Sequence, residues 1–218
     1  MVEIVIAVFL VSTLHVLSFV VVASLFGVGI KEISFGTGMK LFSYKKIIVR
    51  LFQFGGYVSF MDTRAVNLSQ IDVNKALNMQ PVLTQLAIVL SGVVAVLTFS
   101  VVALGENALS SFIIGFDQIL SGALSPFTEA QLLISNAEDL ANEYSLIYVT
   151  AIVGTKLSAL NLFPFSIFNG GQALIILSKK AFNNSVLDEK LSQFFLWPGF
   201  LIGILWCSAF GYYFYGFI

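Results

Sequence analysis

The chain has 218 residues, of which 58% are hydrophobic and 11% charged, and its mean hydropathy is +0.94. No ordinary water-soluble domain can cover that much apolar surface. The net charge is −1 and no basic run is dense enough to suggest a nucleic-acid partner, while the single cysteine, Cys207, excludes an intrachain disulfide and a thiolate metal cluster.

In chain order, residues 4–26 form the first predicted span, since a helix needs roughly 20 apolar residues to cross the hydrocarbon layer. It starts beside Glu3, has no basic segment before it and runs too long before any small-residue cleavage site, so it reads as a retained helix and not a signal peptide. Residues 30–61 are rich in Gly, Phe, Ile and Val, with Gly36, Gly38, Gly55 and Gly56 punctuating short apolar runs, which suits a membrane-associated β-hairpin. Its edges must pair within the protein or accept a strand from another chain. Residues 62–80 read as a polar linker, and residues 81–104 as the second span. Residues 105–145 read as an external loop: 112–120 is apolar enough to lie on the membrane, and Thr128 caps an acidic helix over 129–144.

The third predicted span, 146–178, is interrupted at Asn161-Leu162-Phe163-Pro164 and again at Asn169-Gly170-Gly171, where proline and paired glycines break the helical ladder. The fourth, 194–217, ends in the aromatic residues Phe210, Tyr212, Tyr213, Phe214, Tyr215 and Phe217, which suit an interfacial belt. The expected fold is therefore an all-α polytopic membrane protein of about four transmembrane helices, with a small β-hairpin region after the first, in one domain over residues 1–218. Seven Lys and Arg lie between the first two spans (Lys31, Lys40, Lys45, Lys46, Arg50, Arg64 and Lys75), whereas residues 106–143 hold six acids and no base. The positive-inside rule then places the first loop, and the third with Lys179, Lys180 and Lys190, in the cytoplasm and both termini outside it. A compact layout without targeting extensions suits a bacterial cytoplasmic membrane.

Three stretches, in order, resemble the intramembrane zinc metalloproteases of the site-2 protease family. A helix carrying His15 leads through Gly27-Val28 into Ile33-Ser34-Phe35-Gly36-Thr37-Gly38, like the family's metal helix and membrane-associated β-loop. Gly55-Gly56-Tyr57-Val58 resembles its Gly-Gly-Tyr-Val segment, and Asn161-Leu162-Phe163-Pro164-Phe165-Ser166-Ile167-Phe168-Asn169-Gly170-Gly171 resembles its Asn-Leu-x-Pro-x-Pro-x-x-Asp-Gly-Gly motif. The family's chemistry requires two histidines one helical turn apart and an aspartate to hold zinc, with a glutamate after the first histidine to activate water. Here Val16 stands at the glutamate position, Phe19 at the second histidine and Asn169 at the aspartate. Gly92-Val93-Val94 replaces the Gly-Pro often found in the second helix, and the 105–145 loop is too short for the PDZ domain that many members carry.

The resemblance thus implies a degenerate member whose zinc site is lost and which needs no cofactor. Such a protein binds or scaffolds another membrane protein through a transmembrane segment. In the family the β-loop edge holds an extended substrate; carried over, Phe35, Gly36, Gly38, Phe52, Phe54, Gly55, Gly56 and Tyr57 form the partner-binding region. Two rivals stay open: a divergent active metalloprotease, and a transport or ion-conducting subunit using Lys156. The intramembrane polar residues are His15, Lys156, Asn161 and Asn169. His15 reads as a neutral histidine bonded between helices or as a ligand completed by a partner. Lys156 caps carbonyls freed near Pro164, supplies charge where the family keeps zinc, or pairs with a partner's acid.

Overall fold

The computed structural model describes residues 1–63, 70–182 and 185–216; the side chains at 53–54, 70–71, 181–182 and 185–192 lie outside the described set. Helix α1 (Val2–Leu25) is followed by strands β1 (Ile30–Tyr44) and β2 (Ile47–Phe60). The short helix α2 (Gln70–Val73) and a 3-10 turn lead into α3 (Val82–Leu104). Then come α4 (Asn107–Leu124), α5 (Glu129–Glu143), α6 (Leu146–Leu162), α7 (Asn169–Phe182) and α8 (Ser185–Tyr215). Two compact units result, one of residues Val8–Val96 and one of Met1–Ala7 with Leu97–Ile218.

In the Val8–Val96 unit, α1 stops because Gly27 takes a left-handed conformation (φ 69°). The amides of Gly27 and Val28 then turn back onto the carbonyls of Ser24 and Ala23, closing the last turn, and Val28 packs on Ala23 and Ile88. The β-hairpin expected after the first helix is present. Its turn is tight, with Tyr44 opposite Ile47 and Lys45 left-handed. The hairpin does not stay flat. Ile33, Ser34 and Phe35 face Val58, Tyr57 and Gly56 on one flank and Ile47, Ile48 and Val49 on the other, so the ribbon folds over itself. Gly36 and Gly38, at φ 82° and 83°, supply the left-handed joints that this fold needs.

In the other unit, α4 runs along α6. Ala108 packs with Ala151, the Ser111 and Thr155 hydroxyls are 2.8 Å apart, and Gly115 lies against Ala159. Helix α5 docks on α8 through Ala130, Ile134 and Ala209, and Tyr213 donates to Glu138 at 2.8 Å. Residues 105–145, expected as an external loop with one acidic helix, are thus two helices packed against apolar ones. The apolar stretch 112–120 is the middle of α4, and small residues at 108, 115 and 122 let that helix approach its neighbours. Thr128 precedes α5, but its side chain makes no capping hydrogen bond; the carbonyl of Ser125 takes the Ala130 amide instead.

Among the described residues three helical stretches are long and apolar enough to cross a membrane, Val2–Leu25, Val82–Leu104 and Gln193–Tyr215. The third predicted span differs. Pro164 lacks the amide that would continue the ladder, so α6 ends at Leu162 and is a shorter apolar helix, with α7 starting afresh at Asn169. A Cβ on Gly170 or Gly171 would collide with the carbonyls of Leu162 and Phe165, so both glycines permit this reversal. The gap docks on α8 where Pro198 breaks that helix's own ladder: the Ser166 amide donates to the Phe195 carbonyl at 3.3 Å, and Gly199 packs on Phe165 and Ile167.

The α4–α6 contact yields a direct test. A Cβ at Gly115 would stand 3.1 Å from the Ala159 methyl and 3.2 Å from Cδ of Lys156, whereas Gly203 on α8 has nothing within 4 Å. Gly115→Leu is expected to cost about 1–3 kcal/mol through overpacking. Gly203→Leu should be neutral or slightly stabilising. Heat-induced unfolding in detergent compares the two.

Candidate functional site

Ser12, His15, Val16 and Phe19 occupy one face of α1, three and four residues apart. Each is engaged. The Ser12 hydroxyl accepts a hydrogen bond from the Gly55 amide at 3.1 Å. Val16 is 1% exposed, and a Cβ on Gly56 would lie 2.8 Å from its Cγ2, so the methyl groups rest directly on the glycine backbone. His15 meets the Phe19 ring edge-on, with centroids 4.8 Å apart. On its other side lies α3, where a Cβ on Gly92 would be 2.6 Å from both Cε1 and Nδ1 of the imidazole. The bare glycine admits the ring.

Zinc in a protease needs three protein donors and a polar position for water. The Phe19 ring and the Gly92 backbone lie against His15 and the Gly56 backbone against Val16, and among the described residues no three His, Cys, Asp or Glu side chains converge. The donor set does not fit a zinc centre.

Beside this face the hairpin carries a polar network. Arg50 Nε donates to the buried Ser34 hydroxyl at 2.8 Å, Nη1 to the Gly38 carbonyl at 3.1 Å and Nη2 to the Tyr57 hydroxyl at 3.0 Å. Tyr57 donates in turn to Glu32, whose carboxylate is 3.5 Å from Nη2. The guanidinium therefore ties together both strands and the Gly38 bend, where the ladder is irregular. Sequence reasoning passed over this role for Arg50 and Glu32. The available signal was one acid among the bases of the 31–50 segment.

Of the residues expected to bind a partner, Gly36 is buried, Phe35 is half-buried, and Gly38, Phe52, Gly55 and Tyr57 are exposed. Phe52 lies over Gly38. The Phe54 side chain lies outside the described residues. Lys156, Asn161 and Asn169 belong to the other unit. The Lys156 stem crosses Gly115, and its ammonium donates to the Ser111 carbonyl at 2.7 Å; this is a helix-to-helix tie, and not a cap on carbonyls near Pro164. Asn161 donates to Leu157 one turn back in its own helix at 2.8 Å, and Asn169 begins α7. Within that unit the hydroxyls of Ser158 and Ser166 are buried and, among the described residues, unpartnered.

Long apolar helices, the first of which feeds a glycine-jointed hairpin packed back on its polar face, define an integral membrane protein with a site-2-protease-like core. The family model for peptidase family M50 matches residues 3–205, and the chain belongs to that family. No curated protein matches the sequence.

Proposed function

We propose that this chain is a catalytically inactive site-2-protease-like subunit that holds a membrane segment of a partner protein on its β-hairpin. The observation that carries this reading is the packing of Val16. The residue at the general-base position is an apolar side chain seated on Gly56, so no group stands there to deprotonate water. Phe19 at the second ligand position and Asn169 at the third leave one imidazole for a metal. The hairpin that presents substrate in the family is retained and braced by Arg50, with Phe52 and Tyr57 exposed. Extended segments bind such edges through main-chain hydrogen bonds. The charge distribution favours an orientation with both termini outside the cytoplasm.

Elemental analysis of gently solubilised protein, together with whatever co-purifies, tests the proposal. The expected result is zinc far below one per chain and a membrane protein retained in fixed ratio. Stoichiometric zinc, with cleavage products that disappear in His15→Ala, would show an active protease and overturn it.

A further inference from the structure

Helix α4 turns two unlike faces to its surroundings. Ala108, Gly115 and Gly122 are buried against α6 and α8. On the opposite side Leu109, Ile113, Leu120 and Leu124 form a continuous exposed stripe, Ile113 at 67% and Leu124 at 79%. Asp117 falls within that stripe, four residues after Ile113 and three before Leu120, and is itself exposed. Among the described residues no cation or hydrogen-bond donor reaches its carboxylate.

The depth of this residue follows from two contacts on either side of it. Gly115 lies against Lys156 and Ala159 of the apolar helix α6. The carbonyl of Ile119 accepts a hydrogen bond at 3.0 Å from the Trp206 indole, close to the middle of the Gln193–Tyr215 stretch of α8. Asp117 therefore lies close to the level of the middle of a helix long and apolar enough to cross a membrane. A carboxylate facing acyl chains there is costly, which argues against lipid as what covers the stripe. Lys156 cannot answer it from within the chain, because its ammonium is spent on Ser111 on the buried side of α4.

We infer that the Leu109–Ile113–Asp117–Leu120–Leu124 face of α4 is a docking surface for a transmembrane helix of another protein that carries a lysine or arginine at the level of Asp117. Spacings of four, four, three and four residues keep the five positions on one helix face, the row along which a second helix packs. A buried cation then satisfies the carboxylate, and pairing the two removes the cost of either alone. The inference does not rest on the hairpin reading, since α4 belongs to the other unit.

The test uses designed peptides in phosphatidylcholine vesicles. One is a Leu/Ala helix of about 21 residues with a single central lysine, and its twin has leucine at that position. Cys207, exposed and adjacent to Trp206, takes an acceptor dye without further engineering, and the peptides carry the donor. Half-maximal energy transfer is expected at an about tenfold lower concentration of the lysine peptide. That preference should vanish in Asp117→Leu and persist in Asp117→Glu. Because Asp117 is exposed, Asp117→Leu should melt with the parent protein, which separates lost docking from lost folding. Equal transfer from both peptides in the parent protein, or a lysine preference that survives Asp117→Leu, would overturn the inference. Transfer between labelled copies of the protein that disappears in Asp117→Leu would assign the face to a second copy and overturn it equally.

Discussion

Val16→Glu is expected to destabilise the Val8–Val96 unit by at least about 3 kcal/mol, and not to create a general base. Val16 is 1% exposed and its methyl groups rest on the backbone of Gly56, so a carboxylate at this position enters a space closed off from solvent. It must either stay protonated or push the hairpin away from α1. Val16→Ala is the size control: it removes two methyl groups and should cost about 1–3 kcal/mol by leaving a cavity, with no electrostatic penalty. Adding Phe19→His to Val16→Glu restores the donor types of the family's metal helix. This double variant is nonetheless expected to hold much less than one zinc per chain, because Gly92 of α3 still lies close against the His15 ring and Asn169 still stands where the family has its aspartate ligand. Thermal unfolding in detergent and elemental analysis of the surviving folded fraction decide the matter. A well-folded double variant with one zinc per chain would mean that the packing around His15 is no barrier to a metal.

Gly56→Val should be the most damaging single change for partner binding. A Cβ there would stand 2.5 Å from the Ser34 carbonyl oxygen and 2.8 Å from Cγ2 of Val16. The first is backbone inside the paired ribbon and the second is a short, stiff side chain, so neither yields cheaply. The hairpin has to lift from α1, breaking the hydrogen bond from the Gly55 amide to Ser12. The ratio of co-purified partner is expected to fall by about tenfold or more, equivalent to at least about 1.4 kcal/mol. Limited proteolysis should at the same time reach the hairpin. His15→Ala makes the contrast, since it removes a ring facing Gly92 and leaves the Gly56 contact in place, so the partner should stay bound. If Gly56→Val exposes the hairpin to protease yet keeps its partner, the hairpin is not the docking element.

Much of the fold was legible in the sequence because it depends on local or compositional properties. Long charge-free runs mark α1, α3 and α8 regardless of what they touch. Glycines spaced among β-branched and aromatic residues mark the hairpin, and Pro164 marks where α6 must stop. The identities Val16, Phe19 and Asn169 at the family's chemical positions are likewise plain from the chain alone, as is the single histidine that rules out a shifted pairing within it.

Other features depend on which surfaces meet, and these only the tertiary structure decided. Residues 105–145 look like a loop because their acids dominate a composition count. The helices α4 and α5 are fixed instead by where Gly115, Gly122 and Ala130 find flat partners on α6 and α8. Lys156 looked like a lone charge until α4 brought the Ser111 carbonyl to it. Asp117 gave no sequence signal beyond one acid in an apolar stretch, since its depth comes from Trp206, which lies 89 positions later in the chain. Sequence by itself determined the membrane class, the hairpin and the replaced chemical residues, because hydropathy and residue identity are properties of single positions. The packed face around His15 and the exposed face of α4 had to come from the structure, because which side of a helix is covered depends on neighbours far away in the chain.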